Sequence, residues 1–322
     1  MSEVTPWAPA EFSTAGLPEH RRLALWEDHN ADALIGLRCR TITGRALDAS
    51  EINGRLGRLH LARVRGSAHV VERDQELIRR RPTDSVGLFF SLAGEAFFYH
   101  DDGVRTVRPG QLLMCDADRP FLRGFSRGLE ELVVRIPRGL FRETSGIDAP
   151  REPVLRDFAP GADPVAEVLA RRIGAAVRTD DPRPVDEATV LDLVAALGPT
   201  GRGAAAATHR AVAQSYVERH LADPGLSAPQ VAAAAGISVR HLSRVFAAAG
   251  TSFPRFVLDH RLEAAHRLLR GPAGTALTVA EIAGRCGFRG TAHFAREFTA
   301  RFGERPSQVR RRAAAARTVC SG

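Results

Sequence analysis

The sequence predicts a two-domain α+β protein: a β-rich barrel or sandwich followed by a helical hairpin, then an all-helical C-terminal module. In that module one pattern, a short helix, a turn and a second helix, occurs twice. Three observations predict this. Short apolar or alternating runs parted by turn residues concentrate between residues 50 and 140, helical periodicity takes over after Pro150, and the net positive charge lies beyond residue 200. A length of 322 residues suits two domains of about 100 to 200 residues each.

The strand signals run SVGLFFSL from Ser85, EAFFYH from Glu95, VRTVRPGQLLMCD from Val104 and LEELVVRIP from Leu129. Ala93-Gly94, Asp101-Asp102-Gly103, Pro109-Gly110 and Ser126-Arg127-Gly128 separate them, a pattern expected of consecutive antiparallel hairpins. Leu59 to Val71 adds further strands. Asp163-Pro164 then reads as an N-cap with a proline at the first helical position, followed at helical spacing by Val165, Val168, Leu169, Ile173 and Val177. A second helix is expected over about 185–197, ended by Gly198-Pro199, and GPTGRGAAAA (198–207) reads as a linker.

From Thr208 onward the chain is a succession of capped helices. His209 to Ala222 carries Val212, Tyr216, Val217 and Leu221 on one face. Ser227 to Gln230 is a capping box opening a short helix that closes at Gly236, and Ser238 caps the next, Val239 to Ala249. A long helix from Phe253 to Arg270 follows. The pattern then recurs: Thr278 to Glu281 is a capping box, Cys286-Gly287-Phe288 a turn, and Thr291 to Arg301 a helix. Such pairs are helix-turn-helix units, whose second helices are candidate readers of a DNA groove. Leu242, Val245 and Phe246, and in the repeat Phe294 and Phe298, form one stripe on each second helix. Arg240, His241, Ser243 and Arg244, and Thr291, Ala292, His293 and Arg296, are left for the other faces.

Charge supports a polyanion-binding end. Residues 1–200 hold 27 Arg against 30 acidic residues, a net of −3, whereas residues 201–322 hold 18 Arg against 7, a net of +11. All 45 basic residues are Arg, a bias read as genomic first and functional second. No apolar run approaches the ~18 residues of a membrane span, and MSEVTPWAPAEF lacks the basic and apolar regions of a signal peptide, so a soluble, cytoplasmic protein with no membrane partner is expected. Cys39, Cys115, Cys286 and Cys320 are isolated, which argues against disulfide frameworks and structural zinc, and no cofactor is expected. Gly124-Phe125-Ser126-Arg127-Gly128 matches a nucleophile-elbow pattern, yet no helix follows, so it reads as a hairpin turn. GRGAAA from Gly201 has no strand before it and makes no dinucleotide site. Arg79-Arg80-Arg81 sits in the net-acidic part and reads as a solvated loop.

Several motifs together carry a family resemblance. They are Ser238 through Phe246, RLEAAHRLL (Arg261 to Leu269), IAGRCGF, HFAREF, Gly303 and PSQVR (Pro306 to Arg310). Over residues 208–312 the sequence resembles the AraC/XylS regulators of transcription. The resemblance implies an all-α tandem helix-turn-helix (homeodomain-like) domain whose two recognition helices each enter a major groove of double-stranded DNA. Carried over, Arg240, Ser243 and Arg244 form the first reading head and Thr291, Ala292 and Arg296 the second, with Ser238, His241, Arg289 and His293 beside them. Gly290-Thr291-Ala292 is less polar than is common in the family, so the second head is expected to lean on phosphates. Heads on one face of DNA must sit about 34 Å apart, one duplex turn, and an 18-residue helix supplies about 27 Å of strut.

RPGQLL (Arg108 to Leu113), DRP (Asp118 to Pro120) and VVRIP (Val133 to Pro137) resemble the effector-binding part of the same regulators. That implies a cupin-like β-barrel, a small-molecule effector, and a homodimer formed through helices 163–178 and 185–197. Phe89, Phe97 and Tyr99 are the aromatic candidates for lining the barrel. The expected layout is 1–197 for effector binding and dimerisation, 198–207 as linker, 208–312 for DNA binding and 313–322 as tail. The expected function is ligand-responsive activation, with RNA polymerase as a further partner, and not enzymatic. The alternatives are a metal-dependent cupin-type enzyme fused to a helical module, which His60, His69 and His100 are too scattered to favour, and a regulator whose first domain only dimerises.

Overall fold

The computed structural model describes residues 9–42, 44–101, 103–178, 185–197, 204–271 and 273–320, with two compact units, Met1–Thr208 and His209–Gly322. No helix among the described residues is long and apolar enough to cross a membrane.

The first unit is built on two antiparallel sheets. The larger has the strand order β1 (Ala10–Ser13), β3 (Ala49–Leu56), β4 (Leu59–Gly66), β11 (Leu129–Pro137), β6 (Ser85–Ala93), β9 (Gln111–Asp116) and β12 (Val154–Asp157). The smaller runs β2 (Arg38–Thr41), β5 (His69–Arg73), β10 (Phe121–Phe125), β7 (Ala96–His100) and β8 (Gly103–Val107). Phe89 and Val133 of the large sheet share a core with Val71, Phe98, Phe121 and Phe125 of the small one. The unbroken burial of Ser85 to Ser91 has a simple cause: β6 lies in the middle of the large sheet and is covered on both faces. The outer face is covered by helices α3 (Arg138–Ser145), α4 (Pro164–Ala176) and α5 (Glu187–Ala196). Asp163 caps α4 through its side chain, with Pro164 at the first position.

Consecutive hairpins are not what forms between residues 85 and 137. β7 and β8 do make a hairpin, but β6 pairs with β9 and β11, while β10 pairs with β5 and β7. The turns at Gly94 and at Ser126 therefore carry the chain from one sheet to the other, and Ser126 stands in a sheet crossover with a strand after it. Arg79-Arg80-Arg81 is the end of a short helix, α2 (Gln75–Arg80), rather than a loop. A helix that the periodicity did not announce, α1 (Glu19–Ala33), sets Trp26 and Asn30 against the core. The DRP turn is built around Arg73, which is fully buried and donates to the carbonyls of Ala117, Gly36 and Arg81 and to Asp118 Oδ1.

The second unit is all helical. Its order is α6 (Ala204–Arg219), α7 (Ala228–Ala234), α8 (Val239–Ala248), α9 (Phe253–Arg270), α10 (Ala273–Ala276), α11 (Val279–Arg285), α12 (Thr291–Phe302) and α13 (Pro306–Cys320). Of the linker expected at 198–207, residues 198–203 lie outside the described residues and 204–207 belong to α6; the tail expected from 313 continues α13 as far as Cys320. Two cores share one helix. Phe256 and Val257, in the first half of α9, close a core with Val217, Val231, Leu242 and Phe246. Leu262, Ala265 and Leu269, in its second half, close another with Ile282, Phe294, Phe298 and Val309.

Candidate nucleic-acid interface

Each core fixes one recognition helix by its apolar stripe. In α8, Leu242, Val245 and Phe246 are buried, which leaves Arg240, Ser243 and Arg244 exposed on the opposite side. In α12, Phe294 and Phe298 are buried, and Thr291, Ala292, His293 and Arg296 are exposed. Both turns that precede these helices use a glycine in the left-handed region, Gly236 at φ 65° and Gly287 at φ 81°. A side chain at either position would be strained, and the sharp turn is what places the second helix across the first.

The capping boxes form as their spacing predicts. The Ser227 N–H donates to Gln230 Oε1 at 2.9 Å, the Thr278 N–H donates to Glu281 Oε2 at 2.7 Å, and the Glu281 N–H donates back to Thr278 Oγ1 at 3.2 Å. Ser238 Oγ accepts from the His241 N–H at 3.2 Å, so its side chain is engaged as the N-cap of α8. At α12 the N-cap is Gly290, which offers no side-chain acceptor. Gly290, Thr291 and Ala292 are all exposed, so the first N–H groups of α12 face an open surface with the favourable end of the helix dipole.

The two heads differ in how their arginines are held. Arg240 and Arg244 make no ion pair among the described residues. Arg296 lies against its neighbour: Nε and Nη2 stand 3.3 and 3.2 Å from Glu297 Oε1, and Nη2 donates to His293 Nδ1 at 3.0 Å. Arg289 is exposed just before α12. His241 is half-buried, its ring edge-on to His209 of α6 at 5.2 Å, so packing holds it as much as solvent does. Val239 was not singled out from the sequence. It continues the Leu242–Phe246 stripe, yet as the first residue of α8 it projects past the core and is 42% exposed, an apolar group of the kind that meets a thymine methyl.

In the first unit the aromatic candidates separate. Phe89 is buried in the shared core, but Phe97 and Tyr99 are 37% and 47% exposed, because the inward row of β7 is Ala96 and Phe98. Phe97 and Tyr99 therefore do not line the interior, contrary to expectation. A strand with apolar residues on both sides does not reveal which one is inside. What the interior holds instead is a small cavity of about 30 Å³ lined by Trp26, Phe89 and Phe125 with His69, Arg123 and Glu131. Arg123 Nη1 and Nη2 donate to Glu131 Oε1 and Oε2 at 3.1 and 2.6 Å, its guanidinium carbon lies 4.3 Å from the Phe89 ring centre, and its Nε has no partner.

His60, His69 and His100 of the first unit have structural partners. His60 Nδ1 donates to Ala33 O at 3.1 Å and its Nε2 accepts from Arg135 at 2.9 Å; burial first, and the Arg135 charge second, hold its pKa below the usual value. His69 Nδ1 donates to Ser67 O at 2.7 Å, and burial lowers its pKa as well. His100 stacks on Phe98 at 6.0 Å. Among the described residues no group of three His, Cys, Asp or Glu could hold a metal ion. Burial pushes the thiols of Cys39 and Cys115 up to about 12 and that of Cys286 to about 11, which makes all three poor nucleophiles.

Helices α4 and α5 bury Val165, Val168, Leu169, Ile173, Val190, Leu191, Leu193 and Val194 within the one chain. Arg171 and Asp192 are among the side chains they expose. The apolar residues of the two helices through which the family resemblance implies a homodimer are thus already covered by their own chain.

Two family models match the chain, a helix-turn-helix domain over residues 231–312 and an AraC-binding-like domain over residues 26–235. The second alone covers more than half of it. The chain belongs to the AraC family of transcription regulators. Its AraC-binding-like match runs past the boundary between the two units and takes in α6 and α7. Among relatives of this AraC-family protein, the transcriptional activator NphR of Rhodococcus is 29% identical over 288 residues, 83% of this chain and 82% of that one. The transcriptional activator RhrA of Rhizobium meliloti is 41% identical over 100 residues, 31% of this chain and 32% of that one. The crystal structure of the AraC-like transcriptional activator CuxR aligns over 86% of this chain and 100% of that one, with 18% identity and a TM-score of 0.47.

Proposed function

We propose that this AraC-family regulator activates transcription by reading two successive major grooves, one with α8 and one with α12, in response to a small molecule held in its first unit. One observation carries the proposal. Two exposed, arginine-bearing helices, each fixed by its own core, are joined through α9, a single 18-residue helix that belongs to both cores. Arg240, Ser243, Arg244 and Val239 supply base contacts in the first groove, since Arg reaches guanine O6 and N7 and an apolar group meets the thymine methyl. Thr291 and the open first turn of α12 hold a phosphate, Arg289 adds a second phosphate contact, and Arg296 reads a base.

The interior cavity is lined by aromatic rings and by a buried ion pair, but at about 30 Å³ it has room for about one water, so an effector held there has to widen it. An effector that binds one arrangement of the chain more tightly than another shifts the population between them. Activation is what the names of NphR, RhrA and CuxR describe for those proteins, and contact with RNA polymerase in the cytoplasm, assembly as a homodimer and the absence of enzymatic activity belong to the same proposal.

Selection of bound duplexes from a random pool by the full chain is the test. The proposal expects a motif of two elements one turn apart, with Arg244→Ala relaxing one element and Arg296→Ala the other. A motif with one element, or a pool enriched for no sequence, overturns it.

A further inference from the structure

The two cores of the second unit meet at one small junction. Arg261 lies on α9 between Val257, which belongs to the first core, and Leu262, which belongs to the second. Its Nε donates to Leu221 O at 3.1 Å and its Nη2 to Asp223 O at 2.6 Å, both in the loop between α6 and α7. That loop leads into the first helix of the first helix-turn-helix unit. The turn of the second unit closes on the same place: a Cβ at Gly287 would stand 2.5 Å from Leu221 O and 2.8 Å from Arg261 Nε. Cys286 and Phe288, on either side of Gly287, are anchored in the second core, and Leu221 packs on the first.

Helix α9 joins the units through Phe256 and Val257 in the first core and Leu262, Ala265 and Leu269 in the second, and apolar packing, which is non-directional, leaves some freedom of angle between them. One carbonyl, one guanidinium and one bare glycine backbone in mutual contact remove that freedom. Backbone carbonyls and a planar fork have fixed directions, so the contact sets an angle as well as a distance. No base or phosphate contact is assigned to any of these groups.

We propose that the contact of Gly287 and Arg261 with the carbonyls of Leu221 and Asp223 sets the spacing and phase at which the two recognition helices meet DNA, making Arg261 and Gly287 positioning residues for half-site spacing. This rests on the proposal that both α8 and α12 enter the duplex. One base pair more or less between half-sites moves the second groove by about 3.4 Å and turns it by about 34°, so a rigid pair of heads must discriminate against both.

The test takes the duplex selected by the wild-type full chain and measures dissociation constants by fluorescence anisotropy. The duplexes used carry the native spacing, one base pair more, one base pair less, and either half-site scrambled. The proteins are wild type, Arg261→Leu, Arg261→Lys and Gly287→Ala. Wild type is expected to lose about tenfold on a change of one base pair, as linked sites do when geometry forbids joint engagement. Arg261→Leu is expected to lose about tenfold at native spacing and to show a spacing penalty below about threefold, while its binding to each single half-site stays within about twofold of wild type; Gly287→Ala, which also strains the turn that places α12, is expected to lose the same spacing discrimination and to weaken on the second half-site as well. Arg261→Lys, which keeps one donor, is expected in between. A spacing profile in the variants that matches wild type overturns the inference, and so does an equal loss on single half-sites by Arg261→Leu, which would make the junction a folding element. If scrambling the second half-site leaves wild-type binding unchanged, the two-groove reading fails and takes this inference with it. If both half-sites matter and the profiles coincide, only this inference fails.

Discussion

Removing one negative charge from the second recognition helix should tighten DNA binding. Arg296 is 72% exposed and rests on Glu297 Oε1 at 3.2 Å, with Glu297 24% exposed. To reach a base, the guanidinium must leave that partner. An exposed ion pair of this kind is worth about 0.2 to 1 kcal/mol. Glu297 also brings a carboxylate toward the phosphates; at about 8 Å in water each such pair repels by about 0.5 kcal/mol before salt screens it. Together these give about 0.5 to 1.5 kcal/mol, or about a two- to tenfold gain for Glu297→Gln. Fluorescence anisotropy on the selected duplex at two salt concentrations measures it. The gain should shrink at high salt and fall to the repulsion part alone, about 0.5 kcal/mol or about twofold, in the Arg296→Ala background, where there is no guanidinium to release. Unchanged or weaker binding by Glu297→Gln, or an equal gain without Arg296, would refute the reasoning.

Other outcomes follow from the same geometry. Arg244→Ala, which breaks no ion pair, should cost about 1 to 3 kcal/mol on the selected duplex and relax preference at one base pair; Arg289→Ala should weaken selected and random duplexes alike, as competition binding will reveal. Phe298→Ala opens the core that holds α12 and should cost about 3 to 5 kcal/mol of stability in that module, seen as an earlier melting step by calorimetry, with first-half-site binding retained. His60 has its pKa lowered in the folded chain by burial and by Arg135, so the unfolded chain takes up the proton first. Its contribution is whole above about pH 6.5 and is lost as pH falls through the folded value. The melting temperature should therefore drop between pH 7.5 and pH 5.5, and the drop should be smaller in His60→Asn, with His69 accounting for what is left because its shift has the same sign.

What could be read in the sequence was local chemistry. Helix α9 was legible as a long helix from Phe253 to Arg270, and the two helix-turn-helix units from capping boxes and a glycine in each turn. The exposed faces of α8 and α12 followed from one stripe each. Strand partners were not legible, because pairing joins residues far apart in the chain: nothing near Ser85 to Ala93 states that Leu129 to Pro137 lies beside it. The facing of Phe97 and Tyr99 was lost for a related reason, since Ala96 and Phe98 offer an equally apolar row. Helix α1 escaped because Glu19 to Ala33 buries only Trp26 and Asn30 and shows little apolar periodicity. The Arg261–Gly287 junction involves backbone carbonyls, to which side-chain pattern is blind.

The central claim is that α8 and α12 occupy consecutive major grooves on one face of the duplex. Methylation interference at guanine N7, with the full chain on its selected duplex, tests it most directly. Two clusters of interfering guanines about one helical turn apart are predicted, the first lost selectively in Arg244→Ala and the second in Arg296→Ala. A single cluster, or two clusters half a turn apart on opposite faces, contradicts it.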